Sequence, residues 1–426
     1  MNNRDGRMSN VEAWIRHGSE MRRPLFVKDS LSQSKKLVIV GGGLSGMCNA
    51  FRIAQKRPQT KIILVEKSDR LGGVISTWSD GEWICDLAVN ATRAHPAFWR
   101  LVNDLGLSQK FKPSRKSAKS RWVLLGHKKH RLSALTLLKI GPIRLFQALR
   151  KAKKGGVSVA DLLPHKPIAD ALTLGIVNTT SERVDADFLM PSLTHFGPSP
   201  PIKSSSLRKR IKASYPLFTP ERGSVASLEG GMESLILALR NQLESMDNVT
   251  LITGQRLESP QAAASQFDVP LESVLWAAPV VEENRMLSKL SVFAVGFRNE
   301  DVAHIKHGYG TLIPDSSHPM SGILHESDIH HSKRAPEGHR LFRIMAPHSR
   351  WDGDENKIID SIEKNLTRNK PSLFQNLGVQ TIPSYPPGYM QEISQNSMDC
   401  SYVGWGVSGV SITHVVDEAE RVAELF

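Results

Sequence analysis

The stretch Leu37-Val38-Ile39-Val40-Gly41-Gly42-Gly43-Leu44-Ser45-Gly46 decides how this chain folds. Its first four residues are apolar and mostly β-branched, the pattern of a strand buried on both faces of a parallel sheet. Gly41, Gly43 and Gly46 follow in GxGxxG spacing, and Met47 to Ala54 continues at helical period. A second apolar run, Ile62 to Val65, ends in Glu66. Strand, glycine turn, helix, strand and terminal acid make a βαβ unit of the dinucleotide-binding kind. Gly41 permits the tight turn, Gly43 lets the backbone approach a pyrophosphate, and Gly46 lets the helix lie close to the sheet. The helix N-terminus then presents free N–H groups to the phosphates. Glu66 stands where an acid accepts hydrogen bonds from adenosine ribose hydroxyls.

The residues after Glu66, Lys67-Ser68-Asp69-Arg70-Leu71-Gly72-Gly73, separate flavin from nicotinamide. Gly72 and Gly73 let a second loop approach the same pyrophosphate, and Arg70 can add charge to that contact. Nicotinamide dehydrogenases do not ordinarily carry this sequence, so FAD is the expected cofactor.

Composition limits the other functions. The chain has 426 residues, 40% of them hydrophobic, enough to bury a large core divided among two or three domains. No window approaches the roughly 20 apolar residues of a membrane span. Cys48, Cys85 and Cys400 show no paired or metal-ligand spacing and read as reduced thiols. The net charge of +13 falls in clusters at Arg115 to Arg121, His127 to Arg131, Arg144 to Lys154 and Lys203 to Lys212. Without interleaved aromatics or a binding module these clusters do not indicate nucleic acid. The stretch Leu135 to Ala152, with the following Lys153, is an amphipathic basic segment suited to anionic lipid or to a solvated helix face. Residues 1–35 form a basic extension with a short amphipathic helix around Val11 to Ile15. It has some features of a mitochondrial transit segment, against which Asp5, Glu12, Glu20 and Asp29 count. The histidines between His304 and His339 lack ligand spacing and read as solvated surface, so no metal is expected.

Farther along, Leu228-Glu229-Gly230-Gly231-Met232 opens a helix through Leu243. Val249 to Thr253 is extended, Val274 to Pro279 begins as a buried strand, and Val292 to Phe297 starts an antiparallel, alternating section. Ile412 to Leu425 is helical. With these motifs in order, the chain resembles the oxygen-dependent protoporphyrinogen oxidases within the flavin amine oxidase superfamily. The resemblance rests on Leu37 to Gly73, Gly175-Ile176-Val177 through Pro191-Ser192-Leu193, Leu228 to Leu235, Gly308 to Pro314, Ile382 to Tyr385, and Ser401-Tyr402-Val403-Gly404-Trp405-Gly406-Val407.

The resemblance implies an α/β fold: a Rossmann-like FAD-binding domain, an antiparallel-sheet substrate domain and an inserted helical membrane-binding domain. The FAD-binding parts would be 36–110, 223–290 and 395–426, the inserted helical and substrate region 111–222, and the substrate domain 291–394. It implies that protoporphyrinogen IX is oxidised to protoporphyrin IX by FAD with dioxygen, as in haem biosynthesis. The flavin takes the hydride, and no protein group is expected to be catalytic. Further cofactor contacts would come from Lys67, Val249, Gly406 and Val407. Arg121, in Ser120-Arg121-Trp122-Val123, would clamp a propionate, with Tyr309 and Leu312 against the macrocycle. The implied partners are a tetrapyrrole, dioxygen, an anionic membrane bound peripherally and a second copy of the chain. The location would be the mitochondrial inner membrane in a eukaryote, or the cytoplasmic membrane face in a bacterium.

The sequence also departs from the family. Asp86-Leu87-Ala88-Val89-Asn90 stands where the family has glutamate-leucine-glycine-proline-arginine, Ser397-Met398-Asp399 replaces leucine-alanine-glycine, and Ser408-Gly409-Val410 replaces asparagine-aspartate-cysteine. Two other readings therefore stay open: an amine oxidase or polyene desaturase on the same scaffold, and a relative that binds FAD or porphyrin without turnover.

Overall fold

A computed structural model describes residues 10–133, 141–197, 199–215, 225–279, 287–395 and 399–426. The start of the Leu135 to Ala152 stretch and the pair Ser397-Met398 lie outside the described residues.

The Lys36–Val40 strand is the centre of a five-stranded sheet. In spatial order the strands are Ser401–Tyr402, Val274–Trp276, Lys36–Val40, Lys61–Val65 and Val249–Ile252. All pairs are parallel, with Val40 opposite both Val65 and Trp276. Alternate residues serve two layers. Leu37, Ile39, Ile62 and Leu64 pack with Met47, Phe51, Leu235, Val415 and Val416 on one face. Val38, Val40 and Val65 pack on the other with Ala263, Ala264 and Trp276. The first layer is built by the helices Leu44–Lys56, Pro96–Asp104, Glu233–Glu244 and Ile412–Ala423. Each apolar side chain enclosed this way contributes about 1.5–3 kcal/mol.

The second sheet has seven strands in the order Leu373–Pro383, Leu287–Arg298, His339–Pro347, Gly322–Leu324, Gly310–Leu312, Arg121–Leu125 and Lys128–Arg131. Its pairs are antiparallel except that Arg121–Leu125 runs parallel to Gly310–Leu312. Contrary to the alternating expectation, the long strand is buried on both faces from Leu290 to Phe297. Phe293, Val295 and Phe297 face a core shared with Ile358 and Ile362 of the Glu355–Asn365 helix. Ala294 faces Cys85 and Leu341 instead, because the Thr77–Asp80 and Trp83–Asp86 hairpin covers that side. A Cβ at Gly296 would lie 2.3 Å from the Trp83 ring, so the glycine makes this approach possible.

Between the strand Lys128–Arg131 and the helix Glu233–Glu244 in sequence lie the helices Pro142–Ala152, Val159–Leu162, Lys166–Val177, Ala186–Leu189 and Ser204–Ser214. The first four pack around a small core of Ala152, Val159, Leu162, Ala169, Val177 and Ala186. Ile143 and Phe146 are left 73% and 68% exposed on the first of these helices, beside Arg144. Among the described residues no helix is long and apolar enough to cross a membrane.

Candidate functional site

The parallel strands all end at one edge of the sheet, and the sequence places its glycines there. Gly41 leaves the strand with φ +111 and donates its N–H to Val65 O at 2.8 Å. A Cβ at Gly46 would lie 1.9 Å from Gly41 O, so only glycine lets this helix start against the strand. Gly43 instead faces Gly73, joined by a bridge between Gly43 and Gly72 and by the Gly72 N–H on Gly42 O at 2.7 Å. The nearest atom to a Cβ on Gly43 is Gly73 Cα at 3.9 Å, which leaves the space between the two glycine loops unfilled by protein.

Glu66 lies beside this cradle, 8% exposed. Its Oε2 accepts from Gly42 N at 2.7 Å and its Oε1 from Ser68 N and Oγ. Arg70 curls over its own loop, donating to the carbonyls of Leu71, Gly73 and Ile75, while Lys67 is exposed. Val249 stands apart: it pairs with Ile62, at the opposite end of the sheet from the glycines. Gly406 and Val407 lie in the short helix Trp405–Ser408, whose leading Gly404 packs on Ser45. Tyr389 donates its hydroxyl to Gly406 O, and Val407 is buried among Phe188, Tyr385 and Tyr389.

Sequence reasoning missed Ser45. Its Oγ is buried without a hydrogen-bond partner at the first turn of the Leu44–Lys56 helix, between the glycine cradle and Gly404. A buried hydroxyl left unpaired is destabilising unless a ligand completes it. The empty space over Gly43, the helix N-terminus and this hydroxyl together fit the pyrophosphate of a dinucleotide cofactor. Asp399 is not near this edge. It precedes the Ser401–Tyr402 strand, is exposed, and accepts from Gln261 Nε2 at 3.2 Å.

Arg121, Tyr309 and Leu312 come together on the second sheet, since Arg121 registers with Gly310 and Val123 with Leu312. The exposed Arg121 guanidinium sits 4.3 Å above the Tyr309 ring. Tyr309 Oη lies 3.5 Å from Asn90 Oδ1, and the Asn90 Nδ2 is buried without a partner. Burial raises the Tyr309 pKa against the opposing pull of Arg121 and Arg343. Leu312 closes over the Lys166–Val177 helix, with a Cδ 3.0 Å from the position a Cβ on Gly175 would take.

Behind this pair runs a buried ionic network. Arg334, with no exposed side-chain surface, lies 3.1 Å from Asp86 Oδ2. Asp86 also accepts from Met232 N and Thr77 Oγ1, which ties the hairpin to the Glu233–Glu244 helix. Arg343 pairs with Glu326 at 3.0 Å and donates to the carbonyls of Asp86 and Ala88. Thus a buried arginine fixes the main chain from Asp86 to Ala88. Burial pushes Glu326 up, but Arg343 and His330 outweigh it and hold its pKa at about 2. His330 and His325 are therefore not solvated surface, as expected from their polar surroundings, but buried partners of Glu326 and Asp328. Their neighbouring carboxylates make burial of the imidazoles affordable.

Comparison with known proteins agrees with this fold. Residues 39–105 match the family model described as an NAD(P)-binding Rossmann-like domain. Human protoporphyrinogen oxidase is 26% identical over 82% of this chain and 85% of its own. The coproporphyrinogen III oxidase of Bacillus subtilis is 22% identical over 90% of this chain and 95% of its own. Cyclohexylamine oxidase from Brevibacterium oxydans IH-35A superposes with a TM-score of 0.60 at 13% identity, over 91% of this chain and 98% of its own. UDP-galactopyranose mutase does so with a TM-score of 0.58 at 12% identity, over 92% and 96%. The chain thus has the mixed α/β fold of the flavin-dependent oxidases and is similar in sequence to protoporphyrinogen oxidase over most of its length.

Proposed function

We propose that the chain binds FAD and oxidises a porphyrinogen, protoporphyrinogen IX, with dioxygen as the electron acceptor. The observation that carries the reading is the pair of glycine loops meeting at Gly43 and Gly73 beside the unpartnered Ser45 hydroxyl. In this reading segments 36–110, 223–290 and 395–426 hold the cofactor, 291–394 and part of 111–222 the substrate. When bound, FAD supplies a two-electron acceptor, which relieves the protein of redox chemistry. The chain's residues bind and orient. Gly42 and Ser68 hold the Glu66 carboxylate for a ribose, and Ser45 donates to phosphate. Arg121 offers a charged fork at the edge of an aromatic and aliphatic surface made by Tyr309 and Leu312, which suits a flat tetrapyrrole with a carboxylate side chain. The exposed Ile143 and Phe146 with Arg144, Arg150 and Lys151 on one helix support peripheral contact with anionic membrane.

The test is spectroscopic. The purified protein should show flavin absorption that bleaches when protoporphyrinogen is added without oxygen, and peroxide should form when air is admitted. Bleaching by coproporphyrinogen III or by a primary amine, but not by protoporphyrinogen, would reassign the substrate. Flavin that no porphyrinogen or amine reduces would make the chain a binding protein.

A further inference from the structure

Residues 10–35 of the basic N-terminal extension are part of the fold. Its helix Asn10–His17 buries Trp14, Leu31 is fully enclosed in the main core, and Phe26 bridges to Tyr402 of the edge strand. Ion pairs fasten it to the last helix: His17 Nδ1 lies 2.9 Å from Asp417, and Arg16 Nε lies 2.9 Å from Glu424. In return, Arg421 donates to the carbonyls of Glu20 and Arg23 at 2.9 and 2.8 Å.

Arg23 reaches from this segment to the turn Gly404–Gly409. It is 6% exposed. Its Nε donates to Glu20 Oε2 at 2.7 Å, and its Nη1 donates to the carbonyl of Ser408, the last residue of the Trp405–Ser408 helix. A Cβ on Gly409 would come within 2.9 Å of that Nη1, so guanidinium and turn are fitted to each other. Gly409 itself has φ +100. At its other end the same turn rests on Ser45 through Gly404, whose N–H is taken by Glu418 at 2.7 Å. His414 lies between Arg23 and Arg93, with its Nδ1 buried and unpartnered. Residues 404–409 are therefore gripped from behind by one segment and pressed forward onto the glycine cradle.

We propose that residues 10–33 are a strap that holds the turn Gly404–Gly409 against the dinucleotide cradle, that Arg23 is its positioning residue, and that the strap sets how tightly the chain retains FAD. This rests on the FAD reading above. Losing a charge-assisted hydrogen bond to a turn that touches the ligand loosens the turn in the free protein, and binding must then restore its order.

The experiment uses the full chain stripped of flavin and titrated with FAD, followed by flavin fluorescence and by the visible spectrum of the complex. Arg23→Gln should bind FAD on the order of tenfold more weakly, the equivalent of one charged hydrogen bond, with a shifted flavin band. Arg23→Lys keeps the cation but cannot serve Glu20 and Ser408 together, so its affinity should fall between the two. Arg22→Gln, which removes only a bond to His195 O, should match the wild type. If Arg23→Gln does not fold, Arg23→Lys carries the test alone, and wild-type affinity in that variant overturns the proposal. Equal affinity and spectrum in Arg23→Gln also overturn it. A wild-type protein that takes up no FAD refutes the cofactor reading itself, an outcome distinct from a change confined to the Arg23 variants.

Discussion

Glu418 should make this protein less stable as the pH rises from 5 to 8, and Glu418→Gln should abolish that loss. The carboxyl is 3% exposed on the last helix, where its Oε2 accepts from Gly404 N. Burial pushes its pKa from 4.5 up to about 8, against the smaller pulls of the Gly404 N–H, Arg421 and Arg23. Between those two values the folded chain keeps a proton that the unfolded chain has released, so stability falls with rising pH across the window and is flat above it. At about 1.4 kcal/mol per unit the ceiling is about 5 kcal/mol, and water entering around the charged form can only reduce it to a few kcal/mol. Glutamine retains an acceptor for Gly404 and never ionises. His17, His414 and the other titrating groups are common to both proteins and cancel in the comparison. Thermal or urea unfolding at half-unit steps from pH 5 to 9 should give curves that coincide near pH 5. They should separate progressively between about pH 5 and pH 8 and run parallel above it, with the glutamine variant ahead by a few kcal/mol, or on the order of 5 °C in Tm, at pH 8.5. Parallel curves would show that the carboxyl ionises in the folded protein at an ordinary pH, and that the reasoning from its burial is mistaken.

Gly43→Val should leave the chain folded, because its Cβ has room, yet abolish flavin retention; Gly46→Ala, which meets Gly41 O at 1.9 Å, should lower stability as well. Circular dichroism beside flavin stoichiometry separates the two, and a fully yellow Gly43→Val protein would misplace the site. Arg121→Ala should lower kcat/KM for a porphyrinogen by about ten- to a hundredfold, and lysine should restore only part of it. No change in kcat/KM would move the carboxylate clamp elsewhere. Ile143→Ser with Phe146→Ser should release the protein from anionic vesicles without changing its Tm, since both side chains are exposed. Undiminished sedimentation with vesicles would remove that helix from the binding surface.

The parallel sheet was legible because its signals are local. Four consecutive apolar residues at Leu37 to Val40, three glycines at fixed offsets and an acid at Glu66 each report on a backbone need within one βαβ unit. The second sheet was less so. Leu287–Arg298 reads as an alternating strand only if one face meets water, and its second face is covered by the Trp83–Asp86 hairpin from 200 residues earlier in the chain. His325 and His330 misled for the same reason: their buried partners Asp328 and Glu326 lie in the short helix Glu326–Ile329, whose sequence reads as a polar loop, and nothing in spacing announces that Arg340 and Arg343 will neutralise them. Arg121, Tyr309 and Leu312 came from resemblance, and the register of two short strands places them together. Ser45 carries no signal beyond its place in the glycine motif, because an unpaired hydroxyl is visible only once its surroundings are built.

The parallel sheet has a consequence for biogenesis. Its central strand leaves the ribosome with its neighbour Lys61–Val65, but its other neighbour Val274–Trp276 and the edge strand Ser401–Tyr402 follow far later in the chain. The helix that covers it, Ile412–Ala423, comes later still. For most of synthesis the nascent chain must therefore hold Leu37 and Ile39 without their full cover, and the N-terminal segment has nothing to clasp. At 5–20 residues per second that wait lasts tens of seconds, long enough for chaperones to engage. A chain that stops before Ile412 would accordingly lack the apolar cover that Ile412, Val415 and Val416 give Leu37 and Ile39.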